Sequence, residues 1–481
     1  MSTPLAALVA ALLVPFHLDG PRNTPSPRAE SSYARVSGDS AEIVGTALAV
    51  QAGHVSYVSF TLPNGLRVLY SEDHSTPVVT VDLWYYTGAR NERPGRSGFA
   101  HLFEHMMFQG SAHVKKSEHF QLVERAGGTL NGSTHDDYTN YYETIPSNRL
   151  NLALWLEADR MRSLAVTQEN LENQRATVKE EKRLRVDNQP YAPTFRSAIV
   201  WPFDSATCFA YAHATIGSMG DLDAAKLDDV QAYFATYYAP NNATLVVVGD
   251  FRPVELRRLV NQYFADIRSQ AAPPAVTCEY RLAPGMVRRE VEDAHANLPA
   301  AFRVFRLPPH TDPDIPAIEL LNVILGQGES SRMNVGVVRR DRAALQAGMF
   351  TLTERRGPGV LVAFGIANQG VAVQALDSLI GAELDSVRRV GVTADELTRA
   401  RNAFRADFIH ERETTLGRAE ALQHYNLFHG SVAEINRDLD RYLAVSAADV
   451  QRAAAKYLDP ANSVVVIVRP KAAPADSGRT K

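Results

Sequence analysis

The sequence predicts an α+β fold made of two homologous α/β-sandwich domains, each an antiparallel sheet packed with helices. First, 481 residues are too many for one ordinary domain. Second, short strand-like segments and longer helical segments are mixed along the chain. Third, residues 229–248 (DVQAYFATYYAPNNATLVVV) align without gaps to residues 449–468 (DVQRAAAKYLDPANSVVVIV), at an offset of 220 residues. A repeat of that length indicates an internal duplication of a whole domain.

The composition is that of a globular protein, with 45% hydrophobic residues and a net charge of -4. This charge gives no basic field for binding nucleic acid. Cys208 and Cys278 are the two cysteines of the chain. They can pair in an oxidising compartment, but their spacing is unlike that of a zinc site and does not show that they meet.

The N-terminal region contains a short apolar run, residues 5–16, which is too short to span a bilayer. It resembles the apolar part of a secretory signal, although no Lys or Arg precedes it and no clear cleavage site follows. We therefore assign residues 1–20 as a candidate signal peptide and expect a periplasmic or secreted protein. If the run is not a signal, the expected location is cytoplasmic. Residues 19–40 are rich in Pro, Ser, Arg and Gly, and residues 21–54 are predicted to form a disordered linker.

The elements of the first half follow from periodicity and turn residues. Residues 55–72 indicate two strands around a Pro-Asn-Gly turn, and residues 78–88 a third strand. Further along, the pattern predicts a strand pair at 127–146, helices at 148–163, 167–186 and 227–238, a turn at 240–242 and a strand at 244–248. The predicted domains are residues 55–268 and 285–470, joined by a Pro- and Ala-rich linker at 269–284 and followed by a tail at 471–481.

The most informative motif is His101-Leu-Phe-Glu104-His105. On a helix, histidines four residues apart project to the same side and can reach one divalent ion. A pair of ordinary surface histidines is the alternative. However, apolar residues flank the motif on both sides, and buried histidine and glutamate are costly unless paired or coordinated. The spelling H-x-x-E-H is the inverzincin form of a zinc site, so the cofactor expected is Zn²⁺.

A third ligand is expected from the helix predicted at 167–186. Relative to Val178 on its apolar stripe, Glu181 lies about 60° round the helix and Glu180 about 160°, at roughly 100° per residue. Glu181 should therefore point inward as the third ligand, and Glu180 should point to solvent.

The duplication predicts that only one half binds zinc. Residues 98–110 (GFAHLFEHMMFQG) lie over residues 316–328 (PAIELLNVILGQG) at an offset of 218. In the second copy the three motif positions are Glu319, Asn322 and Val323. One zinc per chain is therefore expected.

These motifs resemble the insulinase/pitrilysin family of zinc metallopeptidases, and in particular bacterial members related to mitochondrial processing peptidase. The resemblance spans roughly residues 55–470. It implies that His101, His105 and Glu181 bind Zn²⁺ and that Glu104 acts as the general base. Besides the zinc motif and RATVKEEKRLRVDNQPY at 175–191, the matching segments are LPNGLRV at 62–68, GARNERPGRSGFAHLFEHMMFQGS at 88–111, GGTLNGSTHDDYTNYY at 127–142 and HATIGSMGDL at 213–222.

For substrate binding, the resemblance implies that the strand containing Thr129, Leu130, Asn131 and Gly132 accepts a peptide by strand addition. An ordinary Gly-containing hairpin is the alternative. In the second half, Arg339 fits a substrate-binding arginine of the family.

Two positions depart from the family pattern. Gln346 stands where a tyrosine is expected, seven residues after the substrate-binding arginine, and Gln174 stands where many members carry a second glutamate. The loop at 325–333 resembles a glycine-rich segment of the family, although a simple flexible loop explains it equally well.

Three hypotheses remain open. The first is the zinc-bearing subunit of a two-chain endopeptidase that cleaves oligopeptides or unfolded segments, with a related chain supplying the Arg/Tyr pair. The second is a self-sufficient homodimeric peptidase. The third is a non-enzymatic scaffold or assembly subunit.

Overall fold

The computed structural model describes residues 16–17, 53–280 and 285–471. Most of the predicted signal segment and linker, residues 281–284 and almost all of the tail lie outside the described residues. In the described part of the chain, no helix is both long enough and apolar enough to cross a bilayer.

The first half has seven strands and eight helices among the residues that the structure describes. The strands are β1 (Phe16–His17), β2 (Val58–Thr61), β3 (Arg67–Glu72), β4 (Val78–Tyr85), β5 (Thr129–Thr134), β6 (Thr139–Pro146) and β7 (Ala243–Gly249). The helices are α1 (Phe99–Met106), α2 (Glu118–Arg125), α3 (Leu150–Ser163), α4 (Gln168–Lys182), α5 (Ala192–Ala198), α6 (Met219–Asp223), α7 (Leu227–Tyr237) and α8 (Pro253–Phe264).

The second half repeats this plan. Its strands are β8 (Val287–Asp293), β9 (Ala300–Pro309), β10 (Ala344–Leu352), β11 (Pro358–Ala367) and β12 (Ser463–Pro470). Its helices are α9 (Ile315–Gly326), α10 (Val373–Val390), α11 (Ala394–His410), α12 (Thr415–Phe428), α13 (Asp438–Ala444) and α14 (Ala447–Tyr457).

Five strands of the first sheet have the same topology as the five strands of the second. The first sheet has the order β1-β5-β6-β4-β7-β3-β2 and the second β10-β11-β9-β12-β8, so β5-β6-β4-β7-β3 corresponds to the whole second sheet. In both, the shared five strands are antiparallel to their neighbours except for the last pair, β7 with β3 and β12 with β8, which is parallel. The predicted fold class, two α/β halves from one duplication, is confirmed.

Each sheet is covered on one face by helices of its own half and on the other by a helix of the other half. The α5 residue Phe195 lies 6.3 Å from Phe302 and 5.5 Å from Phe350 of the second sheet, measured between ring centroids. Reciprocally, α12 places Leu422 in a buried cluster with Val246 of the first sheet. The two halves therefore exchange helices.

Polar contacts and a disulfide strengthen this junction. Arg355 Nε donates a hydrogen bond to Asp136 Oδ2 at 2.6 Å, and Arg418 pairs with Asp73. Cys208 and Cys278 form a disulfide, with Cα atoms 5.1 Å apart. The pairing that the sequence left open is thus present, and it ties the first half to the segment that leads into the second.

Most predicted elements of the first half lie where periodicity placed them. The helix expected at 167–186 is α4, whose N-cap Thr167 accepts a hydrogen bond from the backbone N–H of Asn170. The last residues of the predicted helix differ, because 183–187 have π-helical geometry. Residues 269–280 of the expected linker contain neither helix nor strand.

Candidate active site

The helix that carries the predicted zinc motif is fixed at its first turn by a buried carboxylate. Glu92 accepts hydrogen bonds from the backbone N–H groups of Gly98, at 2.8 Å, and Ala100, at 2.7 Å. An anion there satisfies two backbone donors and interacts favourably with the helix dipole. Gly98 has a φ of 86°, and a Cβ on it would lie 2.7 Å from the Ile216 carbonyl oxygen. Only glycine fits this start of α1.

His213 completes this cap from a distant part of the chain. Its Nε2 lies 2.9 Å from Glu92 Oε2, and its Nδ1 lies 2.9 Å from the Phe209 carbonyl oxygen. Burial raises the pKa of Glu92. Although burial lowers the pKa of His213, the adjacent Glu92 carboxylate raises it above the ordinary value. The two side chains therefore form a buried pair that positions α1.

The structure brings the two histidines of the motif and Glu181 together. Glu181 Oε2 lies 3.1 Å from His105 Nε2 and 3.7 Å from His101 Nε2. The imidazole rings are 4.8 Å apart between centroids and almost perpendicular. His101 is completely buried, and burial, reinforced by the neighbouring His105, holds the pKa of His101 well below its ordinary value. Its ring is therefore neutral at pH 7, which is the form of histidine that binds a metal.

Glu104 lies beside this cluster and is fully buried. Its Oε2 accepts a hydrogen bond from Thr134 Oγ1 at 2.6 Å, whereas its Oε1 has no hydrogen-bond partner among the described residues. Burial raises the pKa of Glu104 well above its ordinary value, and the Glu181 carboxylate adds to the effect. A metal cation in the cluster would oppose this shift and favour the ionised carboxylate.

Helical geometry separates the two adjacent glutamates of α4. The Glu181 side chain is 13% exposed and points at the histidines, and its other oxygen lies 3.4 Å from Arg185 Nη1. The Glu180 side chain is 57% exposed and pairs with Arg183. Gln174, at the position where many family members carry a second glutamate, is buried on the same helix.

The donor set fits zinc. Two imidazole nitrogens and one carboxylate oxygen lie within 4.8 Å of one another, as expected for a three-ligand site that leaves one position open. In the second half, the carboxylate at the position equivalent to His101 has other partners: Thr351 and Thr353 donate hydrogen bonds to Glu319 at 2.8 and 2.6 Å. Within the described chain, no group that could hold a metal includes Glu319.

The strand predicted to bind substrate is β5, and its C-terminal residue Thr134 contacts Glu104. Of the predicted residues, Thr129 is exposed, Leu130 and Asn131 are half-buried, and Gly132 is buried. A Cβ on Gly132 would lie 3.1 Å from the Tyr141 ring, so any larger residue at this position would crowd its neighbours. The backbone of residues 16–17 pairs antiparallel with Ser133 and Thr134 at the outer edge of β5.

Arg339 is not connected to the candidate zinc ligands His101, His105 and Glu181. Its side chain is 56% exposed and pairs with Glu329 at 2.6 Å, in the loop at 325–333. Gln346, where the family pattern has tyrosine, lies on β10, and its side-chain nitrogen is buried without a hydrogen-bond partner in the described part of the chain. Within the described part of the chain, Arg339 thus makes no hydrogen bond or ion pair with His101, His105 or Glu181.

Three residues that shape the site were not singled out from the sequence: Glu92, Thr134 and His213. All three lie inside segments that carry the family resemblance, and that was the available signal. Their roles depend on contacts over 6, 30 and 121 residues of sequence separation. Helical or strand periodicity carries no information about the two longer contacts.

The described structure thus combines two α/β halves with a buried His/His/Glu cluster, the arrangement of ligand atoms that a hydrolytic zinc site needs. Residues 67–203 match the family model "Insulinase (Peptidase family M16)", and residues 224–404 match "Peptidase M16 inactive domain". Together the matches cover more than half of the chain. The chain belongs to the insulinase family, peptidase family M16.

Two relatives and one solved structure illustrate the likeness. The zinc protease PqqE of Helicobacter pylori is 28% identical, over 89% of this chain and 96% of that protein. The probable mitochondrial-processing peptidase subunit beta of Arabidopsis thaliana is 26% identical, over 83% and 75% of the respective chains. The crystal structure of a protease from Helicobacter pylori has a TM-score of 0.81 at 27% identity, and the alignment covers 87% of this chain and all of that one.

Proposed function

We propose that this protein is a zinc-dependent endopeptidase that hydrolyses peptide bonds in oligopeptides or unfolded protein segments. The observation that carries the proposal is the convergence of His101, His105 and Glu181 beside a buried Glu104 oxygen that has no other partner among the described residues. The likeness to proteins named zinc proteases supports the choice of metal and of reaction.

The chemistry follows from these side chains. His101, His105 and Glu181 would hold the ion. When bound, zinc supplies a Lewis acid that polarises the peptide carbonyl and lowers the pKa of a coordinated water. Glu104 Oε1 accepts the proton of the attacking water and returns it to the leaving amine. Thr134, by donating to Glu104 Oε2, orients the carboxylate so that Oε1 faces the reacting groups.

The substrate is proposed to bind as a strand along the outer edge of β5. The antiparallel pairing of residues 16–17 with Ser133 and Thr134 supports this, because that backbone edge already accepts an added strand. A peptide bound in this way runs past Thr134 and hence past Glu104. Residues 129–132 would extend the same ladder, with specificity arising from the pockets beside alternate side chains.

We further propose a partner chain. Gln346 replaces the expected tyrosine, and Arg339 is engaged with Glu329. A related chain that supplies the Arg/Tyr pair, forming a heterodimer, would complete the substrate site. A homodimer remains the second possibility. That one relative is named as a subunit of a processing peptidase supports a two-chain arrangement.

The proposed location is periplasmic or secreted, with a cytoplasmic location as the alternative. The disulfide between Cys208 and Cys278 supports export, because disulfides persist mainly in oxidising compartments.

The test compares Glu181→Ala with Glu180→Ala as a matched control on the same helix. The zinc content of the purified full chain is measured. Cleavage of a fluorogenic peptide is measured with this chain alone and with a related chain that carries the Arg/Tyr pair. We expect Glu181→Ala to lose both zinc and cleavage, and Glu180→Ala to keep both. Full zinc occupancy in Glu181→Ala would contradict the ligand assignment. A zinc-loaded wild-type chain that cleaves nothing under either condition would instead favour the scaffold function.

A further inference from the structure

Three histidines meet at the junction between the two halves, away from the candidate active site. His310 directly follows β9 of the second half, His424 lies in α12, and His429 is the C-cap residue of that helix. His424 Nε2 lies 3.0 Å from His310 Nε2. One nitrogen from each of the three rings lies within 4.8 Å of the other two.

The geometry of the rings suits metal binding. A neutral imidazole carries one nitrogen lone pair, and His310, His424 and His429 each bring a ring nitrogen to the same place.

Two nitrogens in the cluster lack a partner. His310 is 9% exposed, yet neither its Nδ1 nor His429 Nε2 has a hydrogen-bond partner among the described residues. Buried polar atoms are rarely left unsatisfied, and each such atom needs an explanation. Aromatic packing against Phe428, whose ring lies 5.4 Å from that of His310, satisfies the apolar faces of the rings but not their nitrogens.

A carboxylate supports the cluster from outside. Glu354 Oε1 lies 3.5 Å from His424 Nδ1, the ring nitrogen opposite the one that faces His310. Histidine ligands usually place their second nitrogen against a carboxylate, which fixes the ring and strengthens the metal bond.

A second cluster with similar donors shows what a closed site looks like. His119, Glu143 and Glu157 also bring possible ligand atoms within 4.8 Å of one another. There, however, Arg160 pairs with Glu157 and lies 3.8 Å from Glu143. A guanidinium already supplies the positive charge, so no cation is required.

We propose that His310, His424 and His429 form a second metal site, which binds a divalent transition-metal ion such as Zn²⁺, Ni²⁺ or Cu²⁺ through three imidazole nitrogens. Imidazole ligands favour these ions over Mg²⁺ or Ca²⁺. Tetrahedral coordination at about 2.0 Å requires nitrogens about 3.3 Å apart, so small side-chain rotations close the site. This goes beyond the single zinc that the sequence predicts.

The location gives the site its role. All three histidines belong to the second half, but His424 and His429 lie on or at the end of α12, the helix that packs on the first sheet, whereas His310 follows β9 of the second sheet. An ion held by all three rings would therefore fix α12, and with it the first sheet, relative to the second sheet. The role is structural, and it does not depend on the chemistry at His101 and His105.

The experiment measures zinc bound by the full chain after chelation and dialysis against free Zn²⁺. A variant with His101→Ala and His105→Ala removes the first site and serves as background. We expect two equivalents in the wild type, one in the background variant, and none when His424→Gln is added. His295→Gln, an exposed histidine on the same half, is the matched control and should keep one equivalent in that background.

Two further measurements keep the outcome decisive. In the background variant, Zn²⁺ should raise the melting temperature, and Glu354→Gln should weaken zinc binding about tenfold without abolishing it. If adding His424→Gln prevents folding, His429→Gln is used instead, with folding checked by circular dichroism. A background variant that binds no zinc, or that binds it equally well after His424→Gln or His429→Gln, would overturn the proposal.

Discussion

Replacing Glu104 with Gln changes one proton-accepting oxygen and leaves the proposed ligands intact. The amide has the same shape as the carboxylate, and its oxygen can still accept the 2.6 Å hydrogen bond from Thr134 Oγ1. The amide nitrogen then takes the position of Oε1, the atom that has no partner in the described part of the chain. The variant therefore keeps the packing and the donor set but cannot accept a proton.

The size of the effect follows from the role. A positioned general base contributes about 10² to 10⁴ in rate, so we expect kcat to fall by at least a hundredfold, or about 3 kcal/mol of transition-state stabilisation. Zinc content should stay at the wild-type level, because Glu104 is not among the proposed ligands. A smaller loss of rate with full zinc would mean that Glu104 only shapes the pocket.

The assay is cleavage of a fluorogenic peptide under the conditions in which the wild-type chain is active, with zinc measured on the same samples. Glu124→Gln is the matched control, since Glu124 is an exposed glutamate on α2. It should keep wild-type turnover. Glu104→Gln that retains kcat within a factor of three of this control would refute the assignment of Glu104 as base.

Two further predictions concern stability. Burial, helped by the Glu420 carboxylate, raises the pKa of Asp82 well above its ordinary value. Protonated Asp82 therefore contributes to the free energy of unfolding, and this contribution is fully present below about pH 4. It is lost as pH rises, by about 1.4 kcal/mol per pH unit up to the folded-state pKa. Asp82→Asn should flatten this slope in urea unfolding at pH 5 and pH 7, and parallel wild-type and variant slopes would contradict it. Reducing the Cys208–Cys278 disulfide, which closes 70 residues, should lower the free energy of unfolding by about 4 kcal/mol. A Cys208→Ala/Cys278→Ala variant whose stability equals that of the oxidised wild type would refute this estimate of the contribution.

Local patterns accounted for much of the architecture. Alternation and turn residues located β3 and β4, and the repeat at an offset of 220 residues indicated the duplicated sheet. Helical periodicity was enough to expect Glu181 on the side of α4 that faces the histidines, where the structure places it. Its role as a ligand, and that of Glu104 as base, remain predictions.

Long-range contacts were out of reach of the same reasoning. The spacing of Cys208 and Cys278 does not determine whether they meet, because proximity depends on how the linker packs on the second sheet. His310 and His424 are 114 residues apart, and only the packing of α12 on the first sheet brings them together. The exchange of α5 and α12 was likewise invisible, since periodicity shows that a helix has an apolar face but not which sheet covers it.

Because α5 packs on the second sheet and α12 on the first, each half covers one sheet face of the other. A first half produced alone would expose part of Leu69, Val246 and Val248 to water, because most of the side chains clustered with them come from residues beyond 414. Such an apolar sheet face favours aggregation. A single proteolytic cut within the linker should accordingly leave two fragments that remain associated. The two halves should unfold as one cooperative unit.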